Sequence, residues 1–259
     1  MGGTNNQCNN QLADLGASRA DECLARAPQG RIDLLPVIVL AAGTSSRYGC
    51  SNKLLADFDG LPLLARVISM LQPAARPLIV VTGHQAQRVR RSMRQALGHV
   101  PHLRWVHNPH YRQGMASSLR LGINALPAEA SKVCICLGDM PGVDARLLRR
   151  LQALWHPELD VVRPSCRSRP GHPVLLSARL FPALQALAGD GGAKSVVARV
   201  PAARRRQVPW HVGCILDTDT PAALRHARLQ CRRIANRLQP IGCKQGFVPT
   251  GCHLLCLGS

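Results

Sequence analysis

Aromatic residues make up only 3% of this 259-residue chain, so flat faces for stacking unpaired bases are few, which counts against a binder of single-stranded nucleic acid. Acidic residues are also scarce: 14 Asp and Glu stand against 33 Lys and Arg, for a formal charge of +19. That balance favours polyanionic partners, phosphorylated small molecules among them. The excess is mostly arginine and is spread through many segments, so no recognition helix for a duplex stands out. No apolar run approaches the roughly 20 residues that span a bilayer, and no apolar secretory region follows Met1. Cysteine is not scarce, at eleven, but four metal ligands at finger-like spacing are missing, since Cys252, His253 and Cys256 lack a second pair. Cys134 and Cys136 lie two apart on an apolar strand, share one face and read as reduced core residues. The expectation is a soluble, cytoplasmic protein, with neither nucleic acid nor membrane as partner.

Three regions follow from the composition along the chain. Residues 1–35 are polar and irregular and read as a flexible extension, with a short helix from Leu12 to Ala27. Residues 36–233 carry alternating strand and helix patterns with no linker or internal repeat. Residues 234–259 form a basic tail without acids, carrying Cys243, Cys252 and Cys256, and read as disordered. Within the middle region, apolar runs predict strands at Val37 to Leu40, Leu78 to Val81, Leu103 to His107, Val133 to Leu137, Leu159 to Arg163, Val174 to Leu176 and Gly213 to Leu216. Helices are expected from Gly60-Leu61-Pro62 through Leu71, from Gln85 to Leu97, from Met115 to Ala125, from Asp144 to Leu154, and from Pro221 to about Arg233. Strand and helix in alternation predict an α/β fold with a mostly parallel sheet.

The chemistry concentrates where these strands end. The first strand stops at small residues and two glycines, followed by Arg47 and Lys53, a loop whose N–H groups and cations suit phosphate oxygens. An ordinary βα turn with two solvated cations has the same composition. Gly114 precedes a helix whose first turn holds Ser117 and Ser118, suited to an anion, a ribose hydroxyl or simple capping. Asp139 lies just beyond the fourth strand, where open α/β sheets gather ligands and where a carboxylate can hold a divalent metal. It could instead cap the next helix, although Asp144 is available for that. Asp217 and Asp219 follow the last strand, and one of them can face the cleft. Gly189 to Lys194 forms a second glycine-rich turn, which suits an anion or a plain connection.

Six motifs in order across residues 36 to 230 resemble the molybdenum cofactor cytidylyltransferase family, molybdopterin nucleotidyltransferases of the glycosyltransferase-A-like nucleotidyltransferase superfamily. They are Leu40 to Gly49 with Lys53, Asn108 to Met115 with Ser118-Leu119, Gly138-Asp139-Met140-Pro141, Arg169 to Val174, Gly189 to Lys194, and Leu216 to Pro221. The resemblance implies a single-domain, Rossmann-like, three-layer α/β/α fold with a mostly parallel, mixed sheet. It implies CMP transfer from CTP to the terminal phosphate of molybdopterin, with Mg²⁺, or Mn²⁺ in its place. Arg47, Lys53 and Asp139 become catalytic. Leu40, Ala41, Ala42, Gly43, Thr44, Ser45, Lys53, Thr82, Asn108, Gly114, Ser118, Gly138 and Asp139 become nucleotide-binding, His172 and Lys194 acceptor-binding, and Asp139 and Asp219 metal ligands. A recipient molybdenum hydroxylase or its chaperone is an implied partner. Ala42 favours CTP, since the guanylyl branch shows Leu-Ala-Gly-Gly at the loop. Tyr48 and Lys194 depart from the family pattern, and lysine gives up the planar fork of arginine. A guanylyltransferase, a sugar- or alditol-phosphate nucleotidyltransferase and a non-catalytic cofactor carrier are the alternative readings.

Overall fold

The computed structural model describes residues 35–45, 48 and 51–237. The expected extension over 1–35, apart from Leu35, the tail beyond Arg237, and Arg47 in the first loop lie outside the described residues.

Strand β1, Leu35–Ala41, is buried on both faces and lies inside the sheet. It pairs in parallel with β4 (Ala75–Thr82) on one side and β6 (Lys132–Leu137) on the other, bringing Val37 opposite Leu78 and Cys134. A continuous apolar run is what a strand covered by helices on both faces requires. Side-chain alternation then divides the core. Val37, Val39, Ala41, Cys134 and Cys136 point into one apolar cluster with helices α1 (Leu63–Leu71), α2 (Ala86–Leu97) and α4 (Ala145–Ala153). Ile38, Val133 and Ile135 point into the other, with α3 (Met115–Asn124), α5 (Phe181–Gln185) and α6 (Lys194–Arg199). The three-layer α/β/α architecture is therefore written in the period-two pattern of the central strands.

The full order is β10-β7-β9-β6-β1-β4-β5, with β5 at Leu103–His107, β7 at Val161–Cys166, β9 at Val174–Ser177 and β10 at Arg205–Pro209, and with β8 (Arg169–Pro170) paired to β7. Only β8 and β9 run against the rest. The last helix, α7 (Pro221–Arg237), covers Phe58 and Leu63 with Leu224 and Ala227. None of the described helices is long and apolar enough to cross a membrane.

Two expectations are corrected, and one strand is added. Leu61–Pro62 pairs with Asp57–Phe58 as a short hairpin, β2 and β3, because Asp59 and Gly60 both take positive φ and reverse the chain, so α1 begins at Leu63. The segment expected as a last strand from Gly213 is a 3-10 turn, Val212–Ile215, started by His211. The sheet edge belongs instead to β10, whose exposed Arg205, Arg206 and Gln207 conceal it from an apolar pattern.

Candidate active site

The parallel strands deliver their carboxyl ends to one edge, and the candidate site is built there. The first loop leaves β1 with Ala41 and Ala42 buried and Gly43 and Thr44 exposed. Ser45 takes φ of 57°, and its hydroxyl accepts a hydrogen bond from the Lys53 N–H at 3.3 Å, closing the loop on itself. A 3-10 turn, Lys53–Leu55, follows, capped by buried Asn52, whose Oδ1 accepts from the Leu54 N–H at 3.1 Å. This geometry aims the Lys53 side chain across the sheet edge.

The Lys53 ammonium meets two carboxylates: Nζ lies 2.5 Å from Asp139 Oδ2 and 2.6 Å from Asp219 Oδ1. Asp139 follows β6 directly, and the Gly138 N–H donates to the Leu40 carbonyl at 2.9 Å, extending the β1 and β6 ladder to that point. Asp144 caps α4 by accepting from the Leu147 N–H at 3.0 Å, so capping does not occupy Asp139. Asp219 arrives from the far side of the chain and is held there by Thr218, fully buried, whose hydroxyl donates to the Asp139 carbonyl at 3.0 Å. Burial by itself lowers the Lys53 pKa, but Asp139, and then Asp219, more than offset it through charge and hydrogen bonds and hold the ammonium above the ordinary lysine value. Two hard carboxylate oxygens converging on one cation are a donor set that suits Mg²⁺ or Mn²⁺, which take their remaining oxygens from water and phosphates.

The segment expected to hold base and ribose is ordered from within. Asn108 is fully buried. Its amide donates to Ser117 Oγ at 2.8 Å and Ser118 Oγ at 2.9 Å, and its carbonyl accepts from the His110 N–H at 2.9 Å. The Asn108 N–H donates to the Thr82 carbonyl at 2.7 Å, and the Thr82 hydroxyl to the Val106 carbonyl at 3.3 Å. Asn108, Thr82 and Ser118 therefore set the shape of the turn, while exposed Arg112 and Gln113 stand at its surface. Gly114 takes φ of 99°, and a Cβ there would lie 2.4 Å from the Gly189 carbonyl group. The glycine-rich turn from Gly189 thus packs on the start of α3, with the Ala116 N–H donating to the Gly189 carbonyl at 3.1 Å. Lys194 is exposed at the first position of α6.

His172 stands on the other side, where β9 begins. Its N–H donates to the Cys214 carbonyl at 2.8 Å. Burial and the neighbouring Arg163 charge lower its pKa, partly offset by a hydrogen bond with the Ile135 backbone and by Asp139. The structure thus brings Lys53, Asp139 and Asp219 into direct contact, with His172 beside Asp139 and the 108–118 segment on the opposite flank. Two residues of this arrangement had no assigned role in sequence: Thr218 sits inside the Leu216 to Pro221 motif, where only the aspartates drew attention, and Arg163 is one arginine among many outside the motifs.

A mixed α/β sheet that gathers a glycine loop, a lysine and paired carboxylates at its carboxyl edge defines a nucleotidyltransferase, and comparison with known proteins agrees. Residues 37–207 match the family described as the MobA-like NTP transferase domain, and the chain belongs to this family. It is 30% identical over 141 residues to the molybdenum cofactor cytidylyltransferase of Escherichia coli, spanning 54% of this chain and 68% of that one. Among solved structures, Rv0371c from Mycobacterium tuberculosis superposes with a TM-score of 0.64 at 28% identity, over 76% of this chain and 98% of that one. Rv0371c has also been solved in complex with manganese. A nucleotidyl transferase from Methanothermobacter, Mth528, shares the fold, with a TM-score of 0.65 at 23% identity over 78% of this chain and 99% of that one.

Proposed function

We propose that residues 36–233 transfer CMP from CTP to the terminal phosphate of molybdopterin, releasing pyrophosphate, in the cytoplasm and for a recipient molybdenum hydroxylase. The observation that carries this reading is the convergence of Lys53, Asp139 and Asp219 at the carboxyl edge of the sheet. The cytidylyl choice is supported by the likeness to the Escherichia coli enzyme and by Ala42 ahead of Gly43 in the first loop. A phosphate oxygen of the acceptor forms a bond to the α-phosphorus of CTP. The bond from that phosphorus to its bridging oxygen breaks, and the electron pair leaves on pyrophosphate. A phosphate monoester, with a second pKa of about 6, is largely dianionic at neutral pH, so the attack needs no protein base.

What the chain must supply is cationic charge and alignment. Lys53 and Arg47 neutralise the triphosphate, and the first-loop N–H groups from Leu40 to Ser45 hold it. The turn shaped by Asn108, Thr82 and Ser118 seats base and ribose with Gly114, Gly138 closes the sheet edge, and His172 and Lys194 receive the acceptor. Asp139 and Asp219 would hold Mg²⁺ or Mn²⁺, which supplies neutralisation of the phosphates when bound. Pyrophosphate release measured with CTP, GTP, ATP and UTP against molybdopterin tests the reading. Turnover with CTP well above the other three is the expected result. A preference for GTP makes the chain a guanylyltransferase, and binding of molybdopterin without release under any nucleotide makes it a carrier.

A further inference from the structure

Several arginines on the acceptor side of the sheet close on carboxylates, and others, such as Arg169, Arg205 and Arg206, stand exposed to solvent. Arg179 and Arg204 close on Asp160 at 2.8 and 2.9 Å, and Arg146 closes on Asp144 at 2.5 Å. Arg163 on β7 has no carboxylate within ion-pair distance among the described residues. Its one protein bond is from Nη2 to the Gly171 carbonyl at 3.1 Å, while its Nε is buried without a partner. A guanidinium carries five donors and stays charged, so a half-buried one satisfied by a single carbonyl is poised for an anion.

The fold places this charge in a particular crevice. Antiparallel β9 fills the space between β6 and β7 only as far as Val174, opposite Ile135, and Leu175, opposite Val162. Beyond those positions β8 takes over the pairing with β7, Pro170 opposite Ser165 and Arg169 opposite Cys166, while β6 runs on past its last pair with β9 to Leu137 and the chain to Asp139. The mouth of the gap is occupied by Gly171 and His172. A Cβ on Gly171 would lie 2.4 Å from the Cys214 carbonyl oxygen, so that turn is pressed into the gap with no room to spare. His172 Nδ1 is also buried without a partner, and the imidazole feels the charges of both Arg163 and Asp139. Two orphaned nitrogens thus lie on side chains near enough for their charges to interact, and the imidazole between them also feels Asp139 of the Lys53 cluster.

We propose that Arg163 is the anchor for the acceptor's phosphate monoester, holding it beside the Gly171–His172 turn on the Asp139 side of the site. This rests on the nucleotidyltransfer reading above and adds to it the residue that reads the nucleophile. Nη2 keeps the Gly171 turn in place, and Nη1 is left for phosphate oxygens. His172 lines the same pocket and contributes polarity rather than charge, since burial and Arg163 both favour its neutral form.

The test uses the full-length chain with Arg163→Gln and Arg163→Lys. Calorimetric titration with inorganic phosphate, with CTP present to fill the triphosphate side, gives a readout independent of turnover. Loss of a charge-assisted contact predicts about tenfold to hundredfold weaker phosphate binding in Arg163→Gln and partial recovery in Arg163→Lys. In steady state, KM for molybdopterin rises by a similar factor while KM for CTP holds. If Arg163 merely clamps the Gly171 turn, the variants lose thermal stability but bind phosphate and molybdopterin as the parent does, and the proposal is overturned. If the parent chain turns over no molybdopterin while Arg163→Gln still loses phosphate, the function proposed above fails and the Arg163 anion site stands.

Discussion

Replacing Lys53 by methionine should raise the affinity of the nucleotide-free protein for Mn²⁺ even as it disables transfer. The reasoning starts from the two short contacts, 2.5 Å to Asp139 and 2.6 Å to Asp219, which put the ammonium on the carboxylate oxygens that a divalent ion would use. Methionine keeps the length of the side chain and removes the charge, so the cluster changes from one net negative charge to two. A unit charge about 4 Å away is worth about 4 kcal/mol at a partly screened protein site. Asp219 is 39% exposed, which cuts that figure substantially. About 1.4 to 3 kcal/mol remains, equal to a tenfold to hundredfold gain in Mn²⁺ affinity. The same substitution removes an electrostatic donor from the transfer step, so kcat under saturating CTP should fall by about a hundredfold or more. Binding is read by calorimetry or by the electron spin resonance of free Mn²⁺, and turnover by pyrophosphate release. Unchanged or weaker Mn²⁺ binding in Lys53→Met would refute the idea that lysine and metal share the same carboxylates.

Two further outcomes follow from groups around the site. Thr218→Val removes the hydroxyl that ties Asp219 to the Asp139 carbonyl while keeping the buried volume. It should cost about 1 kcal/mol of stability in urea denaturation and also weaken Mn²⁺ binding, whereas a pure stability loss would show that Thr218 does not position Asp219. His211 is partly buried, which together with the Arg146 charge lowers its pKa, while Asp144 opposes them. The unfolded chain therefore takes up its proton at higher pH than the folded one, so stability falls as pH drops below about 6.5, by at most about 1.4 kcal/mol per pH unit for this group. His211→Asn retains an acceptor for the Gly213 N–H and should flatten that slope in denaturation measured between about pH 5 and 7. An equally steep slope would assign it to other groups.

The core of the fold was legible because burial on two faces leaves an unmistakable trace. The apolar runs at Val37, Leu78 and Val133 mark strands, and β5 begins and ends where the pattern places it. Helices α2, α3 and α4 likewise agree to within about a residue at each end with their periodicity and caps. An edge strand leaves no such trace: β10 needs only Val208 inside, so Arg205, Arg206 and Gln207 read as loop. The turn from Val212 to Ile215 was misread for the opposite reason, since buried Gly213 and Cys214 look like strand when their partner is a turn rather than a ladder. At the site, the motifs marked Lys53, Asp139 and Asp219, and the structure joins them. A turn-forming role for Asn108 ahead of Pro109 was legible and its bond to the His110 N–H fits it, but its bonds to Ser117 and Ser118 were not, because the path of the turn chooses them. Arg163 was invisible among 33 basic residues, for what distinguishes it is its half-buried place beside His172 with Nε unpartnered, a property of space and not of order along the chain.

The reversed direction of β9 has one more consequence. The first loop, the turn from Asn108 and the Asp139 turn are made where parallel strands finish, so they are bounded by helices that must return across the sheet. Residues 171–173 come instead from where a strand starts, fed by the short β7–β8 hairpin. That hairpin can lengthen, shorten or change composition without shifting the pairing of β1, β4 and β6. If the proposed function holds, a fixed nucleotide half is thereby separated from an interchangeable acceptor half, and swapping residues 165–170 is the natural place to redirect which phosphate is modified.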